Sequence, residues 1–289
     1  MLAAHATAVL AAGRALQPAP LAAAAPTSKI IWMEWEQGEA DLRSLNGTDS
    51  KYSRDWRCVV GWRRLNPGWE VRLLDAASAP TYAPHYGALV RRNNTDRVHR
   101  SDLLRLEVLS RYGGVWADIS TCPVRALDAW LPEVLSPTGF FAFWRFPKRD
   151  ATVDAHCDQD LVTHAAFSIQ CANYFMAVSQ PQHRLVKGWL DALALRLDAL
   201  TPGEAAPYWL AGCTLTQLAT FVNQTLLADL DAMPHLDPGP LEGKVLPLDT
   251  QVDRSKVLYK ELGHHGLSDS TYYAWVSGGA SADAAHGGR

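Results

Sequence analysis

Three charged residues sit where the surrounding pattern calls for apolar ones. Asp118 closes the otherwise apolar run Val115 to Ile119. A carboxylate at the end of a buried strand either faces a ligand cleft or caps the following turn. Asp102 and Arg105 lie three apart within residues 96–112, where Val98, Leu103, Leu104, Leu106, Val108 and Leu109 predict a helix with broad apolar cover. That spacing puts the pair on one helix face. As an exposed ion pair they would contribute only ~0.3–0.5 kcal/mol. The apolar cover is so wide that they call instead for a polar cleft or a partner. The helix leads through Gly113-Gly114 directly into the Asp118 strand, so Asp102, Arg105 and Asp118 can converge at one edge of a sheet.

Other residues could also carry chemistry. A literal Asp-x-Asp occurs at Asp158-Gln159-Asp160, near Asp154, His156 and His164, and has the composition of a metal cluster. No apolar strand precedes it, and it reads as a solvated loop, with a loop that closes over a ligand as the middle reading. His264 and His265 are either late ligands or idle solvent-exposed side chains. Tryptophan is abundant at 11 residues, which suggests stacking surfaces as well as core. The five cysteines are odd in number and form no C-x-x-C pair, which disfavours zinc and a dense disulfide framework. They read as small buried hydrophobes in a reducing compartment. Three Asn-x-Ser/Thr sequons, at Asn46, Asn93 and Asn223, pull the other way, towards a secretory location.

The elements that must position these residues alternate. The chain has 289 residues, with 27 Lys and Arg against 30 Asp and Glu, a net charge of −3. This balance argues against a nucleic-acid footprint, and no run is apolar enough for a spanning helix. Residues 1–28 are an Ala- and Pro-rich leader, and residues 277–289 a flexible Gly/Ala-rich tail. Lys29 to Trp32 and Trp69 to Leu74 predict strands, with a helix between them over 52–64. Gly139 to Phe146 and Ala172 to Val178 are further strand candidates, and Val186 to Leu200 an amphipathic helix. Alternation of this kind predicts an α/β fold with a mostly parallel central sheet flanked by helices. Ligands in such sheets bind outside the carboxyl ends of the strands, where Asp118 falls.

At these residues the chain resembles a known family. Ser101-Asp102-Leu103-Leu104-Arg105, followed by Tyr112-Gly113-Gly114-Val115-Trp116-Ala117-Asp118, is similar to the SDxxR…YGGvWxD core of sugar transferases with a DXD-type motif. The resemblance is to the capsular polysaccharide synthesis proteins, relatives of the mannosyl- and galactosyl-transferring family 32. Lys29 to Gly38 is similar to their opening KIIWxxWxxG segment, Cys58 to Val71 to their NPGWE stretch, and Val257 to Lys260 to their closing YKL-like stretch. Together the similar segments cover roughly residues 29–265.

The resemblance implies a GT-A fold in one domain over 29–276, with a donor nucleotide half (29–125) and an acceptor half (126–276). It implies transfer of a sugar from a UDP- or GDP-sugar to a glycan or lipid-linked acceptor, assisted by Mn²⁺ or Mg²⁺ and with retention of configuration. Donor binding would fall to Trp32, Trp35, Ser101, Asp102, Arg105 and Gly114, catalysis to Asp118, Asp102 and Arg105, and metal binding to Asp118, Ser120 and His264. Chemistry agrees: a departing nucleoside diphosphate needs positive charge, from a hard cation or from an arginine forked onto its oxygens. The chain departs from the DXD pattern at Ser120, which stands where the second carboxylate is expected. That departure supports a second reading, a non-catalytic binder of nucleotide-sugars or glycans. A third reading is a phosphohydrolase built on the Asp154 to His164 cluster. The resemblance implies a cytoplasmic enzyme, peripheral at a membrane, while the sequons and leader suit a Golgi-type lumen.

Overall fold

The computed structural model describes residues 28–145, 170–200, 206, 210–234 and 258–260, apart from positions 49, 51, 53, 54, 93–95 and 124. The first element is β1 (Ile30–Glu34), whose three central residues are buried. Helices α1 (Glu39–Ser44) and α2 (Asp55–Leu65) lead to β2 (Glu70–Leu74). Two short helices, α3 (Ala79–Tyr82) and α4 (Pro84–Arg92), precede the long α5 (Arg97–Tyr112). Asp96 caps α5 by accepting the backbone N–H of His99 at 3.0 Å, satisfying one of the free donors of its first turn. Gly113 ends the helix at φ 69°, a left-handed conformation that costs glycine nothing.

Next come β3 (Gly114–Ala117) and β4 (Thr121–Pro123). They are followed by α6 (Leu131–Leu135), β5 (Phe140–Arg145), β6 (Gln170–Val178) and α7 (Arg184–Asp198). The described chain closes with α8 (Leu210–Gln217), α9 (Gln224–Ala232) and β7 (Leu258–Lys260). Five strands form one sheet in the order β2-β1-β3-β6-β5. β1 runs parallel to β2 and β3, β6 is antiparallel to β3, and β5 is antiparallel to β6. All strands of the sheet except β6 therefore point the same way, which makes a mixed α/β fold with a mostly parallel sheet. β4 and β7 form a separate antiparallel pair.

Alternation along the strands sends successive side chains to opposite faces. Trp116 on β3 meets Arg105 of α5, so α5 covers one face, with α7 packed beside it. Phe175 on β6 stacks with Trp62 of α2 and lies against Trp130, so α2 and the segment before α6 cover the other face. Most described tryptophans are absorbed by this core: Trp32, Trp62, Trp116 and Trp189 are among its largest fully buried side chains.

Two expectations are corrected. The strand read as Val115 to Ile119 stops at Ala117, because the chain turns at Asp118. The Asp118 N–H donates to Tyr174 O at 2.8 Å, and its carbonyl accepts from Thr121 N at 2.7 Å. The cysteines are not all free hydrophobes: Cys58 on α2 and Cys122 on β4 form a disulfide across a sequence separation of 64, and Cys213 is disulfide-bonded as well. Cys171 carries a free thiol. Spacing could not reveal the bridge, because Cys58 and Cys122 lie 64 positions apart and are brought together only by the packing of α2 on β4. The leader before Ser28 and the tail over 277–289 lie outside the described residues.

Candidate active site

The site forms where β1 and β3 end side by side beneath α5. Trp32 and Trp116 are register partners on these parallel strands. Two residues further on, Glu34 ends β1 and Asp118 follows the end of β3, so alternation places both carboxylates on the α5 face. α5 contributes Ser101, Asp102 and Arg105 from the face above them.

Arg105 is the centre of the arrangement. Its Nε donates to Ser101 O at 3.2 Å, its Nη2 to Ser101 Oγ at 3.2 Å, and its Nη1 to Asn173 O at 2.7 Å. The guanidinium carbon lies 5.4 Å from the Trp116 ring centroid, a cation–π contact. Nη2 is 3.4 Å from Asp102 Oδ1 and 3.6 Å from Asp118 Oδ1. Three of its five N–H donors are thus committed to neutral oxygens, and the remaining charge is shared between two carboxylates. Arg105 stands as a fixed positive post behind the carboxylates, with its side chain only 8% exposed, while the Asp118 side chain is 25% exposed.

Asp102 and Asp118 are each oriented by a second group. Asn173 Nδ2 donates to Asp102 Oδ1 at 2.8 Å, and Trp116 Nε1 donates to Asp118 Oδ1 at 2.9 Å. Asn173 reaches α5 because β6 bulges there: Met176 pairs with Ala142 and Ala172 with the very next residue, Phe143, so residues 173–175 have no register partner on β5. Burial pushes the Asp102 carboxyl above its usual range, against the pull of Arg105. Burial likewise raises Glu34, opposed by a hydrogen bond from Ser101 and by the charges of Arg97 and Arg105. The Ser101 hydroxyl therefore links Arg105 to Glu34, accepting from one and bonding the other.

Asp102, Arg105, Asp118 and Ser101 come together as the sequence predicts, and Ser120 lies in the half-exposed turn directly after Asp118. Trp32 takes another role. Its ring is fully buried against Tyr82 and Tyr112, Arg72 lies over it, and its N–H donates to Gly113 O at 3.0 Å. No open face remains for a nucleotide base, so Trp32 is a core residue. Trp35 lies at the site end of β1 but is enclosed by Tyr52 and Arg97, with its N–H on Asp41 Oδ2 at 2.8 Å. Gly114 is at the far end of β3 from Asp118. Its φ is +88°, and a Cβ there would lie 2.5 Å from Ile30 O. The glycine is required by the close approach of β3 to β1, not by a ligand. His264 and the Asp154 to His164 cluster lie outside the described residues.

Glu34 and Asn173 were not sequence candidates. Period-two alternation from Trp32 gives a signal for Glu34. Asn173 is marked only by being polar within an apolar strand. Among the described residues, no group of three or more His, Cys, Asp or Glu could hold a metal ion. The donor set at the turn is one half-exposed carboxylate with a hydroxyl two residues on, which fits a hard cation that brings further oxygen ligands with it.

The family model for capsular polysaccharide synthesis proteins matches residues 22–195, more than half of the chain. The chain belongs to the capsular polysaccharide synthesis protein family. The family match spans every site residue described above, from Glu34 to Asn173. Curated relatives include "Glycosyltransferase afumC" of Aspergillus fumigatus, 33% identical over a 116-residue alignment that covers 35% of this chain and 27% of that protein. "O-glycosyltransferase braB" of Annulohypoxylon truncatum is 28% identical over a 116-residue alignment that covers 35% of this chain and 25% of that protein. This capsular polysaccharide synthesis family member thus spans about a quarter of the length of the curated relatives it matches. Among solved structures, "PaToxG Glycosyltransferase" aligns over 78% of this chain and 80% of its own, at 15% identity and a TM-score of 0.41. No described helix is long and apolar enough to cross a membrane.

Proposed function

We propose that the protein is a glycosyltransferase that moves a sugar from a nucleotide-activated donor, a UDP- or GDP-sugar, to a hydroxyl of a glycan or lipid-linked acceptor. The observation that carries this reading is the convergence of Asp102, Arg105 and Asp118 at the carboxyl ends of β1 and β3, with Asp118 the most exposed of the three. Membership of the family supports the same activity. The donor half is taken as 29–125 and the acceptor half as 126–276, on a GT-A-type plan, with retention as the outcome that the family resemblance favours.

The chain's own groups divide the work. Glu34, Asp102 and Asp118 lie about Arg105, with Arg97 also acting on Glu34, and Asp118 is the carboxylate placed to meet a divalent cation. Asp118 and Ser120, with oxygens of the donor diphosphate, would hold Mn²⁺ or Mg²⁺, which supplies positive charge for the leaving group. Asp102 acts as a positioning residue that holds Asn173 and Arg105. Trp116 sets the direction of Asp118. Preorganised charge of this kind works because it need not rearrange as the sugar–phosphate bond breaks.

For the compartment we favour the lumen of the secretory pathway over the cytoplasm. The Cys58–Cys122 disulfide supports it, since such bonds persist in oxidising compartments. The test of function is a screen of UDP- and GDP-sugars, with and without Mn²⁺, for transfer, hydrolysis and thermal stabilisation. Cation-dependent turnover of one donor is expected. Stabilisation by a nucleoside diphosphate without turnover would favour the binding-protein reading, and neither effect would remove both.

A further inference from the structure

The transferase reading makes no use of the three sequons, and two of them have described surroundings. Asn46 follows α1 in an exposed turn with Gly47 and Thr48. Gly47 has φ +78° with no atom within 4 Å of where a Cβ would stand, so the turn projects into open space. Asn223 is different. It is half-buried and caps α9, its side-chain oxygen accepting from Thr225 N at 3.1 Å. The cap holds this side chain against the start of the helix, and its half-burial leaves the amide nitrogen less open to a bulky donor.

A second, independent observation concerns the environment. Cys58 and Cys122 are joined, and Cys213 is disulfide-bonded too. Disulfides of this kind belong to oxidising compartments, and the secretory lumen is the one in which Asn-x-Ser/Thr is modified. We propose that Asn46 is an N-glycan acceptor and that Asn223 is passed over. The proposal is independent of which sugar, if any, the protein itself transfers.

The modifying enzyme is an oligosaccharide transferase, and its co-reactant is a lipid-diphosphate-linked oligosaccharide. The Asn46 side-chain nitrogen forms a bond to the anomeric carbon and loses one proton. The anomeric carbon–oxygen bond breaks, and its electron pair leaves with the lipid diphosphate. The Thr48 hydroxyl completes the recognition sequence. It donates to Leu45 O at 2.7 Å, so it already lies on the same turn as the acceptor.

The test uses the full chain led into the endoplasmic reticulum of a yeast or mammalian cell by a cleavable signal sequence. Peptide mapping before and after peptide N-glycosidase F is expected to show a glycan at Asn46, its release leaving aspartate, and an unmodified Asn223. Asn46→Gln and Thr48→Ala should each abolish modification of that peptide, whereas Asn223→Gln should leave it intact. An unmodified Asn46 peptide would overturn the proposal, as would a glycan at Asn223 or modification that survives Thr48→Ala.

Discussion

The indole N–H of Trp116 donates to Oδ1 of Asp118 at 2.9 Å, from two residues upstream on the same face of the sheet. The same tryptophan ring lies beside the Arg105 guanidinium. One aromatic side chain therefore orients the partly exposed carboxylate and screens the buried cation behind it. Trp116→Phe keeps an aromatic face and removes the donor. Hydrogen bonds to charged groups contribute about 1.5–3 kcal/mol, so kcat/KM per folded molecule should fall about 10- to 100-fold, while the smaller ring in a fully buried position also lowers Tm. Unchanged steady-state kinetics would show that Asp118 needs no such guide.

Asp118→Asn preserves shape and an acceptor for Trp116 but removes the charge. Turnover should fall by about 100-fold or more, together with any metal-dependent hydrolysis of the donor. The side chain is a quarter exposed, so unfolding midpoints should hardly move. Full turnover by this variant would take Asp118 out of the mechanism.

Asp102 titrates higher in the fold than in the unfolded chain, because burial disfavours its charge. Between the two values the native state binds the extra proton. Stability is therefore lost as pH rises from the ordinary carboxylate range through the folded value, and does not vary with this group below that range. Asp102→Asn removes this dependence and retains an oxygen to accept from Asn173. In urea titrations from about pH 4 to 7, the variant should gain on the native protein as pH rises. A difference that stays flat with pH would contradict the raised value.

Gly114→Ala should destabilise the protein by about 2 kcal/mol or more, since a side chain at φ +88° also meets the Ile30 carbonyl. Turnover per folded molecule should be unchanged, because the residue is remote from Asp118 along β3. Chemical denaturation combined with active-site titration separates these effects. Normal stability with lost donor binding would restore Gly114 to the ligand site.

The unit from α5 through Gly113 to β3 was legible in the sequence because it is local. Apolar periodicity marks the helix, a glycine marks its end, and three charges break the pattern at Asp102, Arg105 and Asp118. What escaped notice depends on residues far apart in the chain. The reversal of β6 and its bulge bring Asn173 to Asp102 across 71 positions. No periodicity encodes that meeting. Trp32 shows the converse: the residue type suited a stacking surface, but its place in the middle of a central strand made it core.

The Cys58–Cys122 bond closes residues 58–122 into a covalent ring, and α5 and β3 both lie within it. Asp102, Arg105 and Asp118 are all beads on that ring. A protease that cuts once inside it separates no part of the trio from the rest, and only thiol reduction followed by unfolding lets the pieces drift apart.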